Sequence, residues 1–132
     1  MLVFLVEDSP TQAEYFKDVL QEEGLDVLTV PNGWDALTLA VECKPDLIVL
    51  DLNLPDIDGF QVCSRLKRDE VTKDIPVIML TGNSSPQKVM EGLRLGVVDY
   101  VSKNDFAPVT IRACLLELNM RKVEASVARG RL

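Results

Sequence analysis

Apolar residues fall along this chain in two alternating rhythms. Unbroken runs, Leu2 to Val6, Leu47 to Leu50 and Val77 to Leu80, are separated by stretches where apolar residues recur every three or four positions. An unbroken run suits a strand covered on both faces, and the longer period suits a helix with one apolar face. Their alternation predicts βαβ units and a parallel sheet. Leu2 to Val6 leads through Glu7-Asp8 into Ser9-Pro10-Thr11-Gln12, which reads as a capping box with proline at the first helical position. That helix carries Ala13, Phe16, Val19 and Leu20 and ends near Gly24. Leu25 to Val30 is a weaker strand, interrupted by Asp26 and Thr29, and Asn32-Gly33 opens a second helix with Trp34, Leu37, Ala40 and Val41 on one face. Phe60, Cys63 and Leu66 mark a third helix that ends in the polar stretch Lys67 to Asp74. Pro76 to Leu80 is the next buried strand, closed by Thr81-Gly82-Asn83, and Ser85-Pro86 starts a fourth helix with Val89, Met90 and Leu93, ending at Gly96. Val97 to Val101 is the last strand, and Asp105 caps a final helix from Phe106 to at least Met120.

Strand composition also orders the sheet. The three purely apolar runs belong in the centre, and the strands carrying Asp26 and Asp99 belong at the edges, where charge blunts further pairing. Right-handed crossovers then give a single doubly wound α/β domain, a five-stranded parallel sheet in the order 2-1-3-4-5 with five helices on its two faces. The domain is expected over residues 1–120. Residues 121–132, basic and poor in large apolar side chains, read as a linker stub or frayed tail.

Composition narrows the function. A chain of 132 residues with 47% hydrophobic and 27% charged residues can bury a core as one globule. A net charge of -7 argues against nucleic-acid binding, which needs a basic face. Cys43, Cys63 and Cys114 lie far apart within helical apolar patterns and read as small core or boundary residues. There is no histidine, so Cys–His catalysis and histidine metal sites are excluded. Leu2 to Val6 is too short to span a membrane and no basic region precedes it, so a cytoplasmic setting is the expectation.

The candidate chemistry gathers at the strand ends. The run from Asp46 stops on a carboxylate, Asp51, and leaves through a turn rich in Pro, Asp and Gly. The carboxyl end of a central strand is where open α/β sheets bind ligands. The same edge receives Glu7, Asp8, Thr81 and Lys103. Three crowded carboxylates repel one another unless a counter-charge joins them. A hard divalent cation such as Mg²⁺ meets that need, taking carboxylates, waters and phosphate oxygens. Lys103 adds an ammonium and Thr81 a hydroxyl, both suited to phosphoryl oxygens, so the set is equipped for phosphoryl transfer to the acid.

The pieces Val6-Glu7-Asp8-Ser9, Leu50-Asp51-Leu52-Asn53-Leu54-Pro55-Asp56-Ile57-Asp58-Gly59, Leu80-Thr81-Gly82 and Asp99-Tyr100-Val101-Ser102-Lys103 resemble the response-regulator receiver domain of two-component signalling, over residues 2 to 120. The resemblance implies that Asp51 accepts a phosphoryl group from a phosphohistidine on a sensor histidine kinase or histidine phosphotransfer protein. It implies that Asp8 and Asp51 bind Mg²⁺ through side chains, Asn53 through its backbone carbonyl and Glu7 through water. Thr81 and Lys103 would hold the phosphoryl oxygens, and Tyr100 would turn inward as Thr81 moves. Asn53 and Asn83 occupy the places that tune hydrolysis of the aspartyl phosphate. Such a domain is a switch with self-transfer chemistry rather than a turnover enzyme. One departure stands out. The family usually has Lys-Pro, often cis, where this chain has Lys103-Asn104. A cis bond without proline costs about 2.5–4 kcal/mol, which leaves a trans bond or a strained cis one.

In the final helix, Val109, Ala113, Leu116 and Met120 make one stripe and Ile111, Leu115 and Leu118 another. A helix lying on a sheet needs one stripe, so the second predicts a surface for a partner or a second copy, with deeper burial as the alternative. Two rivals fit less well. A flavodoxin-type cofactor site would place Glu7-Asp8 against phosphate. A haloacid-dehalogenase-like phosphatase needs an acid where Asn53 stands. A phosphorylation-independent interaction module on the same scaffold is the remaining alternative.

Overall fold

The computed structural model describes residues 1–82, 86–104 and 106–128, with side chains omitted at 86 and 120–128. The chain alternates β1 (Leu2–Val6), α1 (Pro10–Glu22), β2 (Asp26–Val30), α2 (Gly33–Cys43), β3 (Leu47–Asp51), α3 (Gly59–Arg68), β4 (Val77–Thr81), α4 (Pro86–Leu95), β5 (Asp99–Ser102) and α5 (Ala107–Ala128). All neighbouring strands pair in parallel, in the order β2-β1-β3-β4-β5. The predicted topology holds, with the apolar strands central and the strands that carry Asp26 and Asp99 at the edges.

Strand alternation divides the core in two. Val3, Leu5, Val49, Ile78, Leu80 and Val101 point to one face, where Phe16 and Leu20 of α1 and Ile111 and Leu115 of α5 cover them. Phe4, Val6, Ile48, Leu50, Val77 and Met79 point to the other, under Ala36 and Ala40 of α2 and Val62, Cys63 and Leu66 of α3. A central strand buried on both faces has no solvent side, which is why these segments read as unbroken apolar runs.

Helix α2 corrects the predicted face. Its buried residues are Gly33, Ala36 and Ala40, while Trp34 and Val41 are 47% and 39% exposed. The cause is close packing at its first turn. A Cβ on Gly33 would lie 2.7 Å from Ile57 and 2.8 Å from Val62, so the small-residue side has to face inward. Trp34 instead stands beside α3, with the Arg65 guanidinium 5.0 Å from its ring centre. Cys43, expected in the core or at its boundary, is exposed, whereas Cys63 and Cys114 are buried. Burial and a hydrogen bond to Asp99 push the Cys114 thiol up to about 12, which suits an unreactive packing residue. On α4, Met90 and Leu93 are 59% and 52% exposed.

Helix α5 settles the question of the two stripes. Ile111 and Leu115 are buried and Leu118 packs partly against the sheet, while Val109 and Leu116 are 60% and 63% exposed. Deeper burial is therefore excluded at Val109 and Leu116, and the described part of that stripe lies in solvent, the Met120 side chain lying outside the described residues. The helix also continues to Ala128, through part of the expected tail. Residues 121–128 contain no Gly or Pro to stop it. The predicted cap Asp105, and residues 129–132, lie outside the described residues. Asn104 closes the entry to α5, its side chain accepting from the Phe106 N–H at 2.9 Å.

Asp56 holds α2 from across a loop. Its carboxylate accepts from the N–H groups of Gly33 at 2.9 Å and Trp34 at 2.8 Å, while Asn32 takes that of Asp35 at 2.8 Å. Desolvation, the largest single influence on Asp56, raises its pKa, but the N–H groups of Trp34, Gly33, Ile57 and Asp56 itself together outweigh it and the net shift is downward. A depressed folded pKa gives stability that is present above the unfolded pKa and lost as pH falls through the folded one. Asp56→Ala is expected to lower stability by about 0.5–2 kcal/mol, the usual worth of a helix cap, in urea unfolding at neutral pH. The wild-type advantage should shrink in acid.

Candidate functional site

Four parallel strands deliver the site. β1 runs into Glu7, whose N–H bonds the Val30 carbonyl at 3.0 Å and so fixes it just beyond the strand. β3 ends on Asp51 and β4 on Thr81. Lys103 directly follows β5, and its N–H bonds the Thr81 carbonyl at 2.7 Å. Parallel pairing puts all these carboxyl ends on one edge. Glu7, Asp51 and Thr81 are 2%, 3% and 1% exposed, and Asp8 is in solvent. The Asp51 to Gly59 loop folds tightly back. The Gly59 N–H bonds Leu52 O at 3.1 Å, and a Cβ there would lie 2.7 Å from the Asp51 carbonyl, so only glycine fits.

Lys103 joins the acids. Its ammonium donates to Glu7 Oε2 at 2.8 Å, Asp51 Oδ2 at 2.9 Å and Gln12 Oε1 at 2.6 Å. The Asn53 N–H donates to the other Asp51 oxygen at 3.0 Å. Glu7, Asp8 and Asp51 each bring one carboxylate oxygen within 4.8 Å of the others. These are hard oxygen donors, and one ammonium balances only part of their charge, so the cluster suits a divalent cation. The bond between Lys103 and Asn104 is trans, since no cis peptide occurs among the described residues. Lys103 nonetheless reaches both buried acids, so proline is not required for its reach.

Electrostatics follow from that crowding. Burial pushes the Glu7 carboxyl up to about 7, the hydrogen bond to Asp51 adds to the rise, and Lys103 opposes it. Lys103 loses hydration, which lowers its pKa, but its bonds to Glu7 and Asp51 outweigh that and the net shift is upward. A raised folded pKa contributes stability below the unfolded pKa that is lost as pH rises through the folded one. For Glu7 the window runs from about 4.3 in the unfolded chain to about 7. In metal-free protein, wild type should therefore lose a few kcal/mol relative to Glu7→Gln across that window. Thermal unfolding of both chains in EDTA across that range checks it. Parallel curves would contradict the buried, crowded Glu7.

Tyr100 lies half-buried between β5 and α4. A Cβ on Gly92 would come within 2.9 Å of its ring, so glycine is what lets the ring sit there. The hydroxyl is buried, and no described atom completes a hydrogen bond of normal geometry to it. Burial raises the phenol pKa, and the neighbouring Thr81 side chain works the other way. Asn53 is exposed beside Asp51, and Asn83 lies outside the described residues.

The structure thus brings Glu7, Asp8, Asp51, Asn53, Thr81 and Lys103 to one edge, with Tyr100 two residues back along β5 opposite Met79. Gln12 was read only as part of a capping box. Half of that box forms, Ser9 Oγ accepting from the Gln12 N–H at 3.4 Å. The return bond does not, because the Ser9 N–H goes to Glu7 Oε1 at 3.3 Å and the Gln12 amide bonds the stronger donor, Lys103. A polar side chain one helical turn from Glu7-Asp8 was the only signal, and the partner lies 91 residues away.

The profile of the response regulator receiver domain matches residues 3–116. The dual master transcriptional regulator RpaA of Synechocystis sp. is 43% identical over 101 residues, 76% of this chain and 42% of RpaA. PilH of Pseudomonas aeruginosa is 36% identical over 101 residues, 76% of this chain and 84% of PilH. The chain therefore spans less than half of RpaA but most of PilH. Among solved structures, the chemotaxis protein CheY4 of Vibrio cholerae superposes with a TM-score of 0.80 at 31% identity, covering 88% of this chain and 96% of CheY4. The receiver domain of the sensor histidine kinase PA1611 from Pseudomonas aeruginosa, with magnesium in its active-site cleft, gives 0.79 at 28% identity, covering 88% and 94%. No helix among the described residues is long and apolar enough to cross a membrane. From its sheet order, its acidic strand edge and these matches, the chain belongs to the response regulator receiver domain family of two-component signalling.

Proposed function

We propose that this chain is a phosphorylation-operated switch in which Asp51 accepts a phosphoryl group from a phosphohistidine on a histidine kinase or phosphotransfer protein. The observation that carries this reading is the Lys103 ammonium held between the buried acids Glu7 and Asp51 at the strand ends, 2.8 and 2.9 Å away. The Asp51 oxygen forms the new O–P bond, the donor P–N bond breaks, and its electron pair leaves with the imidazole. Lys103 and the Thr81 hydroxyl hold phosphoryl oxygens. Asp8, Asp51, the Asn53 carbonyl and Glu7 through water are the donors that would hold Mg²⁺, which supplies charge neutralisation for the phosphoryl group. The magnesium in the active-site cleft of the PA1611 receiver supports a metal at this edge. Asn53 and Asn83 tune the lifetime of the product. The chemistry is self-modification, not turnover.

The added charge of about -1.5 to -2 draws Thr81 and Lys103 inward. Two charge-assisted bonds at about 1.5–3 kcal/mol each give roughly 3–6 kcal/mol. Moving a two-state protein from 1:99 to 99:1 takes about 5.5 kcal/mol, so the energies match. Tyr100, seated against Gly92 beside Thr81, carries the change to α4 and α5. There Met90, Leu93, Phe106, Val109 and Leu116 are all more than half exposed and form the apolar material for a partner or second copy. We place the receiver unit at residues 1–120 and assign it no nucleic-acid contact, given the net charge of -7.

Fluoroberyllate, a phosphoryl mimic, tests the site. Saturable 1:1 binding that needs both Mg²⁺ and Asp51 is expected. Binding that survives Asp51→Asn would contradict the assignment.

A further inference from the structure

An ammonium has three donors and no acceptor, and those of Lys103 are all engaged. Glu7 Oε2 takes one at 2.8 Å, Asp51 Oδ2 one at 2.9 Å and Gln12 Oε1 one at 2.6 Å. In this arrangement no Lys103 donor is left for a phosphoryl oxygen. We infer that Gln12 is a placeholder on Lys103, a positioning residue whose amide occupies the donor that a phosphoryl oxygen takes. It restrains phosphorylation and is the partner displaced when a phosphoryl group enters. This rests on reading Asp51 as the phosphoacceptor.

The identity of the displaced partner follows from charge and burial. Glu7 and Asp51 are 2% and 3% exposed, so drawing the ammonium from either before the O–P bond forms would strand a buried carboxylate. All three bonds have an ionised donor, but only those to Glu7 and Asp51 can join opposite charges, so the one to the neutral Gln12 amide is the weakest. Gln12 is neutral and exposed, so water replaces Lys103 as its partner at little cost. Its backbone is fixed by the Ser9 cap at the first turn of α1, which aims the side chain across the strand ends. The local alternative, a return bond to the Ser9 N–H, is closed because Glu7 Oε1 already accepts from it. A groove lined by Gln12, Tyr15, Phe16, Lys103 and Asn104 gives the released amide room to swing aside.

Gln12→Met tests this, since methionine keeps the length and helix propensity but lacks a strong acceptor. In Mg²⁺, fluoroberyllate affinity and the rate of labelling by acetyl phosphate should both rise about tenfold, the low end for one hydrogen bond to an ionised donor at an exposed site. Without any phosphoryl mimic, the Lys103 ammonium protons should exchange with water faster by NMR. Gln12→Glu should act in the opposite sense, more strongly than Thr11→Glu, which adds the same charge at the neighbouring exposed position. Affinity and rate unchanged or reduced in Gln12→Met would overturn the placeholder, as would Met and Glu variants shifting the same way. If wild type takes neither fluoroberyllate nor the phosphoryl group, the reading of Asp51 falls and takes this one with it.

Discussion

Lys103→Met should cost about 3–5 kcal/mol of folding stability above pH 7, the largest effect expected of any single change at the site. The Lys103 side chain is 14% exposed and those of its two carboxylate partners only 1% and 4%. Removing it leaves two buried acids facing each other with nothing between them. The loss should depend on pH in a definite sense. Glu7 already binds a proton up to about pH 7, and losing Lys103 removes an influence that lowers its pKa. Below pH 7 the variant therefore neutralises Glu7 and loses less. Above pH 7 it cannot, and the cost grows. In wild type the raised Lys103 pKa keeps this contribution present through neutral pH, and it fades only in alkali. Urea unfolding of both chains from pH 5 to 9 measures the difference. A flat cost below about 1 kcal/mol, typical of an exposed pair, would contradict the buried arrangement. Phosphoryl uptake by the variant should also collapse, because the remaining acids repel the incoming anion.

Asp51→Asn should act on chemistry and stability in opposite directions. Phosphoryl uptake falls to zero because the nucleophilic carboxylate is gone. Folding without metal should become more favourable, since Glu7 then faces Lys103 without a second acid. Burial, the main cause of its raised pKa, remains, but the hydrogen bond and the charge of Asp51 are removed. Glu7 should titrate below about 7, and each unit of that fall corresponds to about 1.4 kcal/mol. Carbon-13 NMR titration of the Glu7 carboxyl reads it directly. A Glu7 that still titrates near 7 would show that burial alone sets its state.

The sheet order was legible because each central strand is covered on both faces. A strand such as Leu47–Asp51 has no polar side to alternate with, so its composition reports its position. The site was legible because parallel strands bring their carboxyl ends to one edge. Reading Glu7, Asp51, Thr81 and Lys103 off successive strand ends was enough to assemble them. What sequence could not resolve depended on contacts between elements. Helical spacing allows Trp34, Leu37 and Val41 a shared face, but Gly33 must abut Ile57 and Val62, and that rotates the face. Pattern alone made Gln12 a capping residue, and only its nearness to Lys103 shows another use. Asp56 looked like turn chemistry because the N–H groups it accepts from belong to a helix more than twenty residues earlier. Gly92 carried no signal at all until Tyr100 was seen packed against it.

The most direct test of phosphoryl acceptance by Asp51 is the intact mass of the protein after incubation with acetyl phosphate and Mg²⁺, followed by mapping of the modified residue. One phosphoryl group on Asp51, absent in EDTA and absent in Asp51→Asn, is the predicted result. An unmodified chain under the same conditions, or a phosphoryl group that persists in Asp51→Asn, would contradict it.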